Sequence, residues 1–72
     1  MNIKENITHQ IKTLRKENKY TQQQVADAVN VSRSAYSQYE MGIKQPTIET
    51  LVLLAELYHC SLDFIVGRYT KQ

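Results

Sequence analysis

The strongest constraint on this chain is its punctuation. Thr21, Ser32, Thr47 and Ser61 each stand just before a short stretch whose apolar residues recur at helical spacing. A hydroxyl at such a place accepts a hydrogen bond from a free amide of the first turn, so each reads as a helix N-cap. Thr21 is reinforced by Gln24, three residues on, in a capping box. Starts placed so close together leave room for short helices only. Stops fall between them: Asn30 tolerates the left-handed conformation, and Gly42 and Gly67 adopt it without a Cβ penalty. No segment alternates apolar and polar residues as a half-buried strand does. The expected fold class is all-α.

The first helix is predicted from about Glu5 to Asn18, carried by Ile7, Ile11 and Leu14, with a stop near Asn18-Lys19. The second follows Thr21 and buries Val25, Ala26 and Val29. The third runs from Arg33 to about Met41. After the loop IKQP, Thr47 caps a fourth helix, with Glu49 in the first turn where the helix dipole favours an acid. Ile48, Leu51, Leu54, Ala55 and Tyr58 share its expected core face. His59-Cys60 breaks the chain, and Ser61 caps a fifth helix through Val66. The expectation is five short helices around one core, in a single domain over residues 1–72. Tyr20, Tyr36, Tyr39, Tyr58 and Cys60 are expected mostly inside it.

A chain of 72 residues buries only a little over half of its unfolded surface, which argues against a large enclosed active site. The single cysteine excludes an internal disulfide and fits a reducing compartment. No apolar run approaches a membrane span, and the polar start MNIKENITHQ lacks the core of a signal peptide. The expected location is the cytoplasm. His9 and His59 are far apart, with Cys60 beside only one of them, so no metal-ligand spacing exists. There is no nucleophile–base–orienter set and no glycine-rich phosphate loop. No enzymatic activity, cofactor or small-molecule ligand is expected.

The net charge of +2 is unevenly spread. Residues 1–46 carry an excess of three positive charges, residues 47–67 carry three acids and no base, and Arg68 and Lys71 follow. Such a split is compatible with ordinary solvated faces, or with a first part that meets a polyanion.

The second and third helices are joined by about three residues around Val29-Asn30-Val31. So short a turn forces a steep crossing, as in a helix-turn-helix, over about residues 21–41. Ala26 supplies the small residue that close packing needs. Ala35, Tyr36 and Tyr39 can then face the core. Arg33, Ser34, Ser37 and Gln38 are left on the other side, with forked donors and short polar groups of the kind that read base edges in the major groove.

From TQQQVADAVNVSRSAYSQYEMG through the Pro46-Thr47 cap to SLDFIVG, the chain resembles the lambda-repressor-like (Xre/Cro-like) helix-turn-helix family, from about Ile7 to Arg68. The resemblance implies a double-stranded DNA partner. Arg33, Ser34 and Gln38 match the family's base-reading positions, flanked by Ser37. Gln22 matches a glutamine that contacts a backbone phosphate; Thr21 and Ser32 are placed with it. Lys44 and Gln45 match the loop that grips phosphates after the recognition helix. Arg15 and Glu40 match a pair that ties the first helix to the third. Asn30 departs from the glycine usual in the family's turn. Tyr36 and Tyr39 bring hydroxyls that must find partners.

The implied function is a transcriptional regulator, a repressor acting as a homodimer on a palindromic operator. The alternative is an antitoxin-like or adaptor protein working mainly through a protein partner. The expected dimer patch is Leu53 and Leu57, off the core face of the fourth helix, with Phe64 and Val66 and extended by Tyr69. The same residues are equally compatible with completing a small core.

Overall fold

The computed structural model describes residues 2–68. They form five helices and no strand: α1 (Ile3–Glu17), α2 (Gln22–Ala28), α3 (Arg33–Met41), α4 (Ile48–Leu57) and α5 (Leu62–Ile65). Every helix is opened by a side-chain cap. Asn2, Thr21, Ser32, Thr47 and Ser61 each accept from the amide three residues on.

α1 starts two residues before its expected place, because Asn2 and Glu5 form a capping box of their own. α5 ends one residue early, with Val66 as its C-cap.

Every helix is also closed in one way. Lys19, Asn30, Gly42, His59 and Gly67 have positive φ. At each, the amide of that residue and the next bond back to carbonyls three and five residues earlier, the Schellman pattern. For α1 these are Lys19 N to Lys16 O and Tyr20 N to Arg15 O, both 3.1 Å. Tyr20, Val31 and Cys60, each just past a left-handed residue, then pack onto the core.

The core is Ile7 and Ile11 of α1, Val25, Ala26 and Val29, Tyr36 and Tyr39 of α3, Leu51, Leu54 and Ala55 of α4, and Ile65. Ala26 has no exposed surface, so α2 and α3 approach closely there. Ile48 departs from its expected core position and is 71% exposed. It occupies the first turn of α4, and Thr50 is buried instead.

The expected dimer residues are partly buried. Leu53, Leu57 and Val66 pack against the core, and Phe64 is half-buried. α4 is apolar over most of its circumference, so it buries a wider arc than the 51–54–55 stripe. Its outermost apolar side chains are Ile48 and Val52. Tyr69 lies outside the described residues.

Candidate nucleic-acid interface

The two faces of α3 differ sharply. Tyr36, Tyr39 and Glu40 are buried, and Ala35 is half-buried. Arg33 and Ser34 are exposed in the first turn, Ser37 and Gln38 are half-exposed one turn later, and Met41 is exposed at the end. The four expected base-reading residues thus share the face that α3 turns away from the core. Ser37 Oγ lies 3.6 Å from Met41 Sδ.

Ser32 Oγ accepts from Ala35 N at 3.0 Å. Because the cap uses an oxygen lone pair, the hydroxyl proton stays available to an acceptor such as phosphate. Thr21 is placed alike: its Oγ1 accepts from Gln24 N, and its own amide donates to Gln24 Oε1 at 2.8 Å. The first amides of α3 have no acceptor within the helix and point out beside Arg33 and Ser34. Lys44 and Gln45 are exposed on the loop after α3. That loop is held close, since Ile43 N and Lys44 N both donate to Gln38 O.

Behind this surface lies a buried polar centre. Arg15 reaches Glu40 through two nitrogens and also donates to Tyr20 O. The Tyr36 hydroxyl donates to Glu40 Oε2, and Gln22 Nε2 donates to Glu40 Oε1 at 3.1 Å. One carboxylate therefore gathers α1, α2 and α3. Burial pushes the Glu40 carboxyl up, but the hydrogen bonds from Arg15, Tyr36 and Gln22, with the Arg15 charge, hold it below the usual carboxylate range. The hydrogen bond to Glu40 raises Arg15, against desolvation. Burial, then the hydrogen bond to Glu40, pushes the Tyr36 hydroxyl up.

The sequence reading places Gln22 at a phosphate but not on Glu40. Its amide carries two protons, and one of them is committed here. Tyr36 stands four residues before Glu40 on one helix, and that spacing was the available signal for their contact. The Tyr58 hydroxyl is buried without a hydrogen-bond partner among the described residues. Burial pushes its pKa up.

Among the described residues, no three His, Cys, Asp or Glu side chains gather as a metal site. No helix there is long and apolar enough to cross a membrane.

Two short helices locked across a tight turn, with a polar stripe on the second, define a helix-turn-helix domain. The helix-turn-helix family pattern matches residues 11–65, and the chain belongs to that family, in agreement with the lambda-repressor-like resemblance. It is 40% identical over 57 residues to YobD, an uncharacterized HTH-type transcriptional regulator of Bacillus subtilis, covering 79% of this chain and 51% of that protein. It is 39% identical over 69 residues to RstR, the cryptic phage CTXphi transcriptional repressor of Vibrio cholerae, covering 96% and 58%. A crystal structure of a transcriptional regulator from Listeria innocua superposes with a TM-score of 0.82 at 32% identity, covering 92% of this chain and 61% of that one. The chain spans about half the length of the curated relatives it matches.

Proposed function

We propose that this chain is a sequence-specific, double-stranded-DNA-binding transcriptional regulator that represses from a palindromic operator as a homodimer. The observation that carries this reading is the exposed stripe Arg33–Ser34–Ser37–Gln38 on a helix whose opposite face is fixed by Tyr36, Tyr39 and Glu40. A rigid helix presenting forked and short polar groups suits the major groove, which is wide enough to admit it. Arg33, Ser34, Ser37 and Gln38 read base edges. Thr21, Gln22, Ser32, Lys44 and Gln45 hold phosphates on either side and set the register. The repressor names of two relatives support the direction of regulation.

One helix-turn-helix unit reads few base pairs, and two-fold pairing doubles the information in the site. The supporting surface is the outward side of α4, where Ile48, Val52 and the edge of Leu53 line a shallow groove with Glu49 and Glu56.

Selection of bound fragments from random duplex DNA tests the reading. The expected result is an inverted repeat with half-sites about 34 Å apart along one face of the duplex. Recovery of unrelated fragments with no shared motif would refute it.

A further inference from the structure

The polar surface does not end with α3. Met41 continues its exposed stripe and is 64% exposed. Beside it lies an open groove of about 510 Å³, bounded by the first half of α1 and by Met41 and Gly42. Lys4, Thr8 and Lys12 line its α1 side, one helical turn apart. Thr8 Oγ1 donates to Tyr39 O at 3.4 Å and stitches that wall to the end of α3. Gly42, with φ of 75°, forms the floor beside Thr8.

Lys4 and Lys12 are exposed, and among the described residues the salt bridge is Arg15–Glu40, so neither lysine has an acidic partner. Glu5, the acid that also lines the groove, takes the Asn2 amide in the capping box of α1. Two lysines against the one carboxylate leave the groove net positive, and it is continuous through Met41 with the surface assigned to DNA.

We propose that this groove is a further DNA-contacting surface, in which Lys4 and Lys12 hold the sugar–phosphate backbone of the duplex whose bases α3 reads. The proposal rests on the reading of α3 as the recognition helix. The spacing favours a strand over a single small anion. Eight residues of helix separate the lysines by about 12 Å along the axis, enough to meet two different phosphates of one strand but too far to clasp one.

The test is the salt dependence of operator binding by the Lys4→Ala/Lys12→Ala double variant. The control is Lys16→Ala, which removes charge from the last turn of α1, and losses are compared per charge removed. Each phosphate contact contributes about 0.9 to the slope of log affinity against log salt. On a single half-site bound by one protomer, the groove variant is expected to lose about 2 from that slope, and about twice that for the dimer on the full operator. From 50 to 200 mM salt, its affinity for the half-site should then fall about tenfold less than that of the wild type. Its preferred sequence should not change, because phosphate contacts carry no base information. Thermal unfolding of the unbound variants checks that both remain folded. A slope equal to the wild type, or a loss no larger than the control's, overturns the proposal. A wild-type protein that binds no duplex overturns the recognition-helix reading and the groove with it; specific binding with an unchanged slope overturns the groove alone.

Discussion

Arg15 and Glu40 meet in a two-pronged ion pair, Nε to Oε2 at 2.6 Å and Nη2 to Oε1 at 2.9 Å, across 25 residues of sequence. The partners are unequally buried: 15% of the Arg15 side chain is exposed, against 4% for Glu40. Removing Glu40 leaves a guanidinium that can still reach water. Removing Arg15 strands a carboxylate that cannot. Breaking a buried pair from one side costs about 3–5 kcal/mol. Arg15→Ala is therefore expected to lower the melting temperature by at least about 12 °C in a domain of this size, and by more than Glu40→Ala does. A double-mutant cycle followed by thermal unfolding should show strong coupling. Additive losses would remove the pair from the stability argument.

The same carboxylate sets an acid limit. Its pKa is lowered in the folded protein from an ordinary 4.5. A depressed carboxyl contributes stability that is fully present above its unfolded value and is lost as pH falls through the folded value. Stability should therefore decline from about pH 4.5 downward as Glu40 is protonated and releases Arg15. Glu40→Gln has no such titration and should show a flatter acid limb in denaturant melts. An acid limb as steep as the wild type's would assign the decline to other groups.

Backbone conformation makes a separate prediction at two helix ends. Asn30 has φ of 62° in the turn between α2 and α3, and Gly67 has φ of 82° after α5. A side chain without asparagine's local hydrogen bonding pays about 1–2 kcal/mol in that region. Asn30→Ala should destabilise by about that amount, while Asn30→Gly should be close to neutral. Gly67→Ala should cost more, because its Cβ would come within 2.5 Å of Asn6 Cγ. Equal melting temperatures for Asn30→Ala and Asn30→Gly would show that the turn does not need its left-handed residue.

These turns also show what could be read in the sequence. Hydroxyl caps and glycines mark their positions locally, so Thr21, Ser32, Gly42, Thr47 and Ser61 were legible one by one. Lys19 and His59 carry no such mark; they become left-handed because a helix must end there and the next residue must pack inward. The Arg15–Glu40 contact was legible through the family resemblance. The attachment of Gln22 to Glu40 was not, because it depends on the relative placement of three helices. Ile48 was misplaced because periodicity records the angle around a helix and says nothing about what covers its end. Leu53 and Leu57 are partly buried against the core, because a small core draws in more of α4 than one stripe.

The interface itself divides into two kinds of contact. Arg33 carries the forked donor and stands exposed at the start of α3. Arg33→Ala should weaken operator binding by about 1–3 kcal/mol and relax the preference at one position in each half-site. Lys44 is exposed on the loop after α3, and the proposed function gives its charge to a phosphate in any sequence. Lys44→Ala should weaken all duplexes alike and reduce the salt slope by about 1. Competition binding on operator and scrambled duplexes separates the two. If Arg33→Ala discriminates as the wild type does, α3 is not the reading helix.

Assembly gives the last prediction, and its sign depends on charge. Ile48 and Val52 are more exposed than Leu53, which packs partly inward, so they form the centre of the apolar surface on α4. Glu49 and Glu56 line the same groove. A two-fold contact brings each patch onto its own copy. The apolar centres then attract, while the glutamates of one protomer face those of the other. Salt screens that repulsion and does not weaken apolar contact. Dimerisation without DNA should therefore strengthen as salt rises, while DNA binding weakens through loss of phosphate contacts. Sedimentation at micromolar concentration across a salt series measures the first, and operator titration the second. Ile48→Glu/Val52→Glu keeps two exposed positions helical and adds like charge to the contact. It should remain folded, stay monomeric at every salt concentration, and lose the advantage of the full palindrome over a single half-site. A dimer that survives this change would move the two-fold contact off α4. A monomeric wild type that binds a half-site as tightly as the palindrome would refute the dimer altogether.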